Sequence, residues 1–384
     1  MIREMLRLRS ILFTCLLMGI SGRLSAQDSL MFKGQLSAWA LYNGGLDLPV
    51  YIGGRYIPQL NYEINLKNDN LIDFEASANM NGNFGFRPFD TISADGMIKP
   101  YRIWGRYSSR QFEVRVGLQK INFGSAQLIR PLMWFDEVDP RDPLGLTDGV
   151  WGGLFRYYFL NNANLWFWSL YGNRNPRGWD FAGTHRDIPE FGGRFQSPIP
   201  AGEAAISFHH RVSDTRGVNP AIPEFDKVRE NRIGFDLKVD LVVGAWLEGS
   251  WVNNSKDLDM FSNQEIFSAG LDYTFGVGNG IYMIFEQLLA TYDEKPFAFE
   301  NTTTFSLLSL SYPLGLFSNI QGIIYFDWKN TSLYNFINLQ RDFSHFSLYL
   351  MAYWNPEDYR IPTQEIEQNL YAGKGIQIMF VLNH

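Results

Sequence analysis

The sequence predicts an all-β fold, a transmembrane antiparallel up-and-down β-barrel of about eighteen strands (sixteen is the alternative count), with long extracellular loops and short periplasmic turns. Three observations predict it. Of 384 residues, 46% are hydrophobic and 16% aromatic, yet mean hydropathy is −0.17, so apolar side chains must be interleaved with polar ones. Segment after segment alternates with period two, which gives a strand one greasy and one wet face. The connections between those segments alternate as well, short then long. Seventeen Pro and thirty-five Gly argue against long helices.

Taken in order, the chain opens with Arg3, Arg7 and Arg9 before the apolar run Ile11 to Ile20, followed by Leu24-Ser25-Ala26. That is the pattern of a secretory signal peptide, residues 1–26, exported through the Sec pathway. Its apolar core is too short for a transmembrane helix. The single cysteine, Cys15, lies inside that core after Thr14, where a lipidated cysteine would follow a small residue. Residues 27–384 therefore contain no thiol or disulfide chemistry. The formal charge of −7 becomes more acidic without Arg3, Arg7, Arg9 and Arg23, which disfavours nucleic acid as a partner.

The first mature strand is Gly34 to Tyr42, with Leu36, Ala38, Ala40 and Tyr42 on one parity. After Asn43-Gly-Gly45 the next runs to Leu66, with Tyr56, Leu60, Tyr62 and Ile64 opposed by Arg55, Gln59, Asn61 and Glu63. Pro58 cannot donate to a ladder, so a bulge or gap is expected there. Ile72, Phe74, Ala76, Ala78 and Met80 oppose Asp73, Glu75, Ser77 and Asn79. Tyr101 to Tyr107, Phe112 to Gln119 and Val150 to Phe159 carry Arg102, Arg106, Glu113, Arg115 and Arg156 on their wet face. Ile233 to Leu241, Phe267 to Phe275 and Ile376 to Leu382 continue the alternation to the end of the chain. Leu165 to Tyr171, Ile281 to Tyr292 and Thr302 to Tyr312 are apolar on both parities, as expected beneath an inward-folded loop or at a subunit contact.

Short connections fall near 67–70, 108–110, 160–164, 197–202, 242–244, 276–280, 313–316 and 341–344. Long ones fall near 43–50, 81–98, 122–149, 173–190, 211–231, 253–264, 293–300 and 355–372, with one brief exception at 329–331. Both termini then lie on the short-turn rim. A barrel whose interior is water rather than core explains how the mature chain forms one unit. Tyr42, Tyr56, Tyr62, Tyr107, Tyr157, Trp251, Tyr273, Trp328 and Trp354 fall at or near strand ends on the greasy parity, where interfacial belts form.

With these features the mature chain resembles general Gram-negative outer-membrane porins over nearly its whole length. The last strand resembles their C-terminal assembly signal, with Ile378 and Phe380 at alternate positions, but ends Asn383-His384. The loop 122–149 matches in position the third extracellular loop, which the resemblance implies folds inward and narrows the channel. Arg115-x-Gly117-x-Gln119-x-Ile121-x-x-Gly124 followed by Asp139-Pro-Arg-Asp-Pro143 is similar to a segment of uncharacterised porin-like families, with Phe123 in place of the usual Trp.

Arg102, Arg106, Arg115, Arg156 and Arg194 lie on wet parities, so several can form a basic ladder with Glu113 beside it, because neighbouring strands are ~4.8 Å apart. The loop supplies Asp136, Glu137, Asp139, Asp142 and Asp148 together with Arg130 and Arg141. If the acids face the ladder, crossed charges at a constriction orient dipolar solutes. The structural alternative is that Glu113 and its neighbours pair with the arginines and brace the wall. A Ca²⁺ site in the loop lacks the spacing of a known calcium loop, and no metal or cofactor is expected. His209 and His210 are consecutive on a strand and point to opposite faces. His185, Arg186, Asp187 and Glu190 share a loop without a matching acid–histidine pair on a facing strand end, which argues against an enzyme. Gly276-Val-Gly-Asn-Gly280 precedes no helix and reads as a turn.

The expectation is a channel for small hydrophilic solutes, with outer-membrane lipids and the barrel-assembly machinery as partners and a homo-oligomer compatible with the plan. The alternative is a plugged scaffold barrel that binds a partner complex.

Overall fold

The computed structural model describes residues 29–220, 222–358 and 370–384; the expected signal peptide lies outside them. The strands, in chain order, are β1 (Ser29–Asn43), β2 (Val50–Asn65), β3 (Leu71–Phe86), β4 (Ile92–Ser108), β5 (Phe112–Gln119), β6 (Val150–Tyr158) and β7 (Asn164–Leu170). They continue with β8 (Gly183–Thr184), β9 (Glu190–Ile199), β10 (Gly202–Asp214), β11 (Val228–Asp240), β12 (Gly244–Asn254) and β13 (Asn263–Phe275). Then follow β14 (Ile281–Asp293), β15 (Thr302–Gly315), β16 (Ser318–Asp327), β17 (Ser332–Asp342), β18 (Phe346–Trp354) and β19 (Lys374–Asn383). Each wall strand pairs antiparallel with the next, and β1 pairs with both β2 and β19, which closes the sheet on itself. The two-residue β8 pairs only with the end of β10, so the closed barrel has 18 strands with one extra outside it.

Alternation places the side chains. Phe74, Ile103, Val116, Phe235, Leu247, Leu271, Leu350 and Phe380 point outward and are exposed, while Asp73, Glu113, Arg194, Asp236 and Glu248 point inward and are buried. Closure leaves the sheet without a free edge strand, so the backbone groups of the wall pair from strand to strand around the ring. Tyr42, Trp328 and Trp354 stand exposed on the outer face. The ladder between β2 and β3 lapses at Ile57 and Pro58 without a register shift, between the pairs Tyr56–Met80 and Gln59–Ser77. The bulge lies one hairpin on, at Ser77/Ala78 against β4.

Two expectations need correction. Residues 81–98 form no long loop: β3 and β4 stay in register from Phe86–Ile92 to Ala78–Pro100, and the Asn/Gly-rich run Asn79 to Gly85 is strand. The backbone ladder outweighs the weak strand propensity of Asn and Gly where a neighbour offers continuous hydrogen bonds. β4, with 17 residues, therefore rises beyond β5, with 8, and its pairing to β5 begins only at Ile103.

The interior is also not simply water. Inward residues of β14 to β19 and β1, among them Leu288, Phe305, Leu307, Ile323, Tyr325, Met351, Tyr353 and Leu41, form an apolar lining. It packs against Leu128, Ile129 and Met133 of the loop between β5 and β6. A second cluster joins Phe123, Leu132, Trp134 and Phe135 of that loop to Leu154, Trp168 and Leu170. This explains why the strands β7, β14 and β15 are apolar on both parities: their inner faces lie under loop.

Candidate functional site

The centre of the lumen is built by residues 120–149, between β5 and β6. Gly124 has φ +111°, and a Cβ there would collide with the Glu248 carboxylate, so the chain turns close to the far wall only with glycine. Beyond the turn, six successive or nearby backbone N–H groups are held by two wall carboxylates. Glu248 of β12 accepts from Ser125 (2.6 Å), Ala126 (2.9 Å) and Leu132 (2.7 Å). Glu286 of β14 accepts from Gln127 (2.5 Å), Leu128 (3.0 Å) and Ile129 (3.1 Å), and from Trp246 Nε1 (3.1 Å). Trp134 Nε1 donates to Ser250 Oγ at 2.9 Å. Hydrogen bonds to a charged acceptor are the stronger kind, and an N–H buried without one is costly. The loop is thus clamped across the barrel.

Residues 171–189, after β7, reinforce it. Trp179 Nε1 donates to the Arg130 carbonyl and Gly178 N to Glu137. Asp180 sits between Arg211 and Arg232, both of which also bind Glu230. Arg177 reaches Glu190, which touches His209 Nε2 at 3.2 Å, while Trp168 Nε1 donates to His209 Nδ1 at 3.1 Å. His209 is enclosed and His210 points outward toward Asn231. His185 lies 3.7 Å from Asp226, and Arg186 and Asp187 are exposed.

The wall arginines fall into three settings. Arg106 makes a two-pronged bond to Asp73 (2.9 and 2.7 Å) and stands 3.6 Å from Glu113. Glu113 also lies 3.7 Å from Arg115 and 3.2 Å from Arg156. Arg115 stacks over Trp104 and Arg156 over Trp166. Arg194 binds Asp236 at 2.5 and 2.9 Å. Arg102 holds the end of the loop, donating to the carbonyls of Thr147 (2.8 Å) and Tyr101 (2.5 Å).

The loop acids have partners of their own. Asp136 binds Arg130 and Asp139 binds Arg141, while Asp148 meets Lys99 at 2.5 Å. Asp142 accepts from Leu144 and Leu146 N–H. The acids and the ladder arginines are not paired with each other among the described residues. Burial raises the carboxyls of Asp136, Glu137 and Asp142 above the usual carboxylate range; for Asp142 two backbone N–H groups and the charge of Arg55 work against that rise.

A cavity of about 460 Å³ remains between this loop and the inner faces of β1, β2 and β19, bounded by Arg55, Glu137, Asp139 and Asp142 among others. Another of about 500 Å³ lies beyond Glu137, toward Thr147, Asn173 and Arg177. Sequence reading missed Glu248, Glu286, Asp180, Glu230 and Arg55 as parts of this site. One signal was available: Glu286 shares its parity with Ile284 and Leu288, a carboxylate in an otherwise apolar inner row.

No family model and no curated protein matches the sequence. Likeness is found in three dimensions. The crystal structure of Acinetobacter baumannii OccAB1 aligns with TM-score 0.57 at 8% identity, over 94% of this chain and 97% of that one. Pseudomonas aeruginosa OccK5 (OpdH) aligns with TM-score 0.58 at 10% identity, over 92% and 98%. Acinetobacter baumannii OccAB4 gives 0.55 at 10%, over 93% and 99%. At these identities the shared property is the fold. A closed barrel of 18 antiparallel strands, matched along nearly the whole of both chains, is the fold this protein shares with them.

Proposed function

We propose that the protein is a channel of the Gram-negative outer membrane, through which small hydrophilic solutes diffuse, and not an enzyme. The observation that carries the proposal is a greasy-sided closed barrel whose clamped loop leaves a charged cavity beside the wall. In this reading residues 1–26 direct export, the assembly machinery inserts the barrel, and lipid surrounds it. Residues 120–149 form the constriction. Their acids Glu137, Asp139 and Asp142 face Arg55 across the cavity, and Arg102, Arg106, Arg115, Arg156 and Arg194 with Glu113 line the lumen on the other side of the loop. Arg106, Arg115 and Arg156 keep 26%, 15% and 18% of their side-chain surface accessible, so they contribute field as well as bracing.

A second reading is favoured by the filling of the lumen: the two apolar clusters and the ionic network around Asp180 suit a plugged scaffold that binds a partner complex. Planar-bilayer recording of the purified barrel separates the two. Steady ohmic openings support the channel, and silence at high protein load supports the scaffold.

A further inference from the structure

The cavity of about 460 Å³ between the loop and β1, β2 and β19 has an unusual lining for a route taken by water-like solutes. Its apolar lining comes from Trp39, Leu41 and Met379 of the wall, Met133 and Leu144 of the loop, and Tyr371. Its acids are Glu137 and Asp142, neither of which forms an ion pair among the described residues, and Asp139, already neutralised by Arg141 at 2.9 Å. Glu137 spends one oxygen on Gly178 N–H (3.0 Å) and borders both cavities. The opposing cation is Arg55, whose guanidinium lies 5.8 Å from the Trp39 ring centroid. Formal charges of the lining acids therefore exceed those of the bases.

Two further side chains point to an occupant. Gln377 and Ser37, 6% and 2% exposed, line the same space and make no side-chain hydrogen bond among the described residues. They stand four residues apart along the β1–β19 ladder, where Ser37 faces Val381 and Gln377 faces Leu41; buried polar groups ordinarily have partners, so each offers an open polar contact to an occupant of the cavity. From this combination we infer that the cavity is a binding subsite for amphipathic organic cations, an ammonium group carried on an aromatic or aliphatic body. The ammonium sits at Glu137 and Asp142, and the body lies against Trp39, Tyr371 and Met379. An inorganic cation gains nothing from that apolar wall, and an anion meets the surplus of carboxylate. Arg55 repels the ligand and sets an upper limit on its charge. The inference rests on the channel reading only in placing the cavity on the permeation route.

The test is calorimetric titration of the full barrel in detergent with phenethylammonium, methylammonium, phenylacetate and phenylalanine. Phenethylammonium is expected to bind about tenfold more tightly than each of the others, since apolar body and charge each contribute. Glu137→Gln should weaken it by about fivefold, and Arg55→Gln should tighten it by about threefold through loss of a like charge. Equal binding of all four probes overturns the inference. So does tighter binding of phenylalanine or phenylacetate, or weaker phenethylammonium binding in Arg55→Gln, because these are the outcomes of a zwitterion or anion site. Bilayer recording keeps the two readings apart. A silent barrel that still discriminates the probes sinks the channel and leaves the subsite; steady openings with no discrimination do the reverse.

Discussion

Glu248 and Glu286 act at the smallest scale, where one side chain decides the course of a loop. Each offers its two oxygens to three backbone N–H groups of the loop. Replacing either by Ala leaves buried donors unpaired and is expected to cost on the order of 3 kcal/mol. The readout is a lower temperature for loss of the folded band in unboiled gels, together with noisier and larger openings in bilayers. Unchanged openings would mean that the loop is held by its apolar contacts alone.

Protonation provides a second residue-scale prediction. Burial raises Asp136, Glu137 and Asp142, so the folded chain binds these protons more tightly than the unfolded one. Their contribution to stability is fully present below the ordinary carboxylate range and is lost as pH rises through the raised values. Cation preference follows the opposite course and falls as pH is lowered, beginning above the ordinary carboxylate range. Reversal potentials in a salt gradient between pH 7 and about pH 4 test this; the double variant Glu137→Gln, Asp142→Asn should flatten the change.

At the scale of the strand, position on the parity decides cost. Leu237 pairs with Leu247 on the outer face, and Leu237→Arg should cost ~2–4 kcal/mol if it meets lipid at mid-strand; a change below about half a kcal/mol would place it elsewhere. The β3–β4 hairpin behaves differently. Residues 92–102 pair with β3 but not with β5, so alternate amides there have no strand partner on that side. Hydrogen exchange is expected to be faster across 92–102 than across the doubly paired stretch of β3, residues 72–77. Equal protection would mean that another chain covers that edge.

For the whole molecule, the lumen is divided rather than open. Conductance should therefore be well below that of an unobstructed barrel of 18 strands. Excising residues 125–146, with a short Gly-Ser bridge, should raise it several-fold. The folded variant is recognised by heat-modifiable migration. A conductance that stays the same on excision would show that residues 171–189 block the passage instead, since Trp179 and Asp180 also reach into the lumen.

By itself the sequence determined the barrel, its even strand count and the sidedness of its turns, because these are local properties. Alternation such as Phe112 to Gln119 states which side chain faces which way without reference to any partner. Connections alternate between the rims, so their order along the chain states which rim each occupies, even where a connection on the long-loop rim is short, as at 87–91 and 328–331. The apolar inner row of β14 and β15 was legible as the bed of an inward-folded loop or as a subunit contact, and only the folded chain, which lays Leu128 and Ile129 against it, chose between the two. Tertiary structure alone decided which charges meet. Arg106 lies 33 residues from Asp73 and Glu248 lies 116 residues from Leu132, and nothing local distinguishes those pairings from many others of equal charge. Parity places a charge on a face, whereas closure of the barrel and the path of one loop across it set its height and neighbour. Arg55 was for that reason one more polar residue on β2 until the loop brought Asp142 within its field.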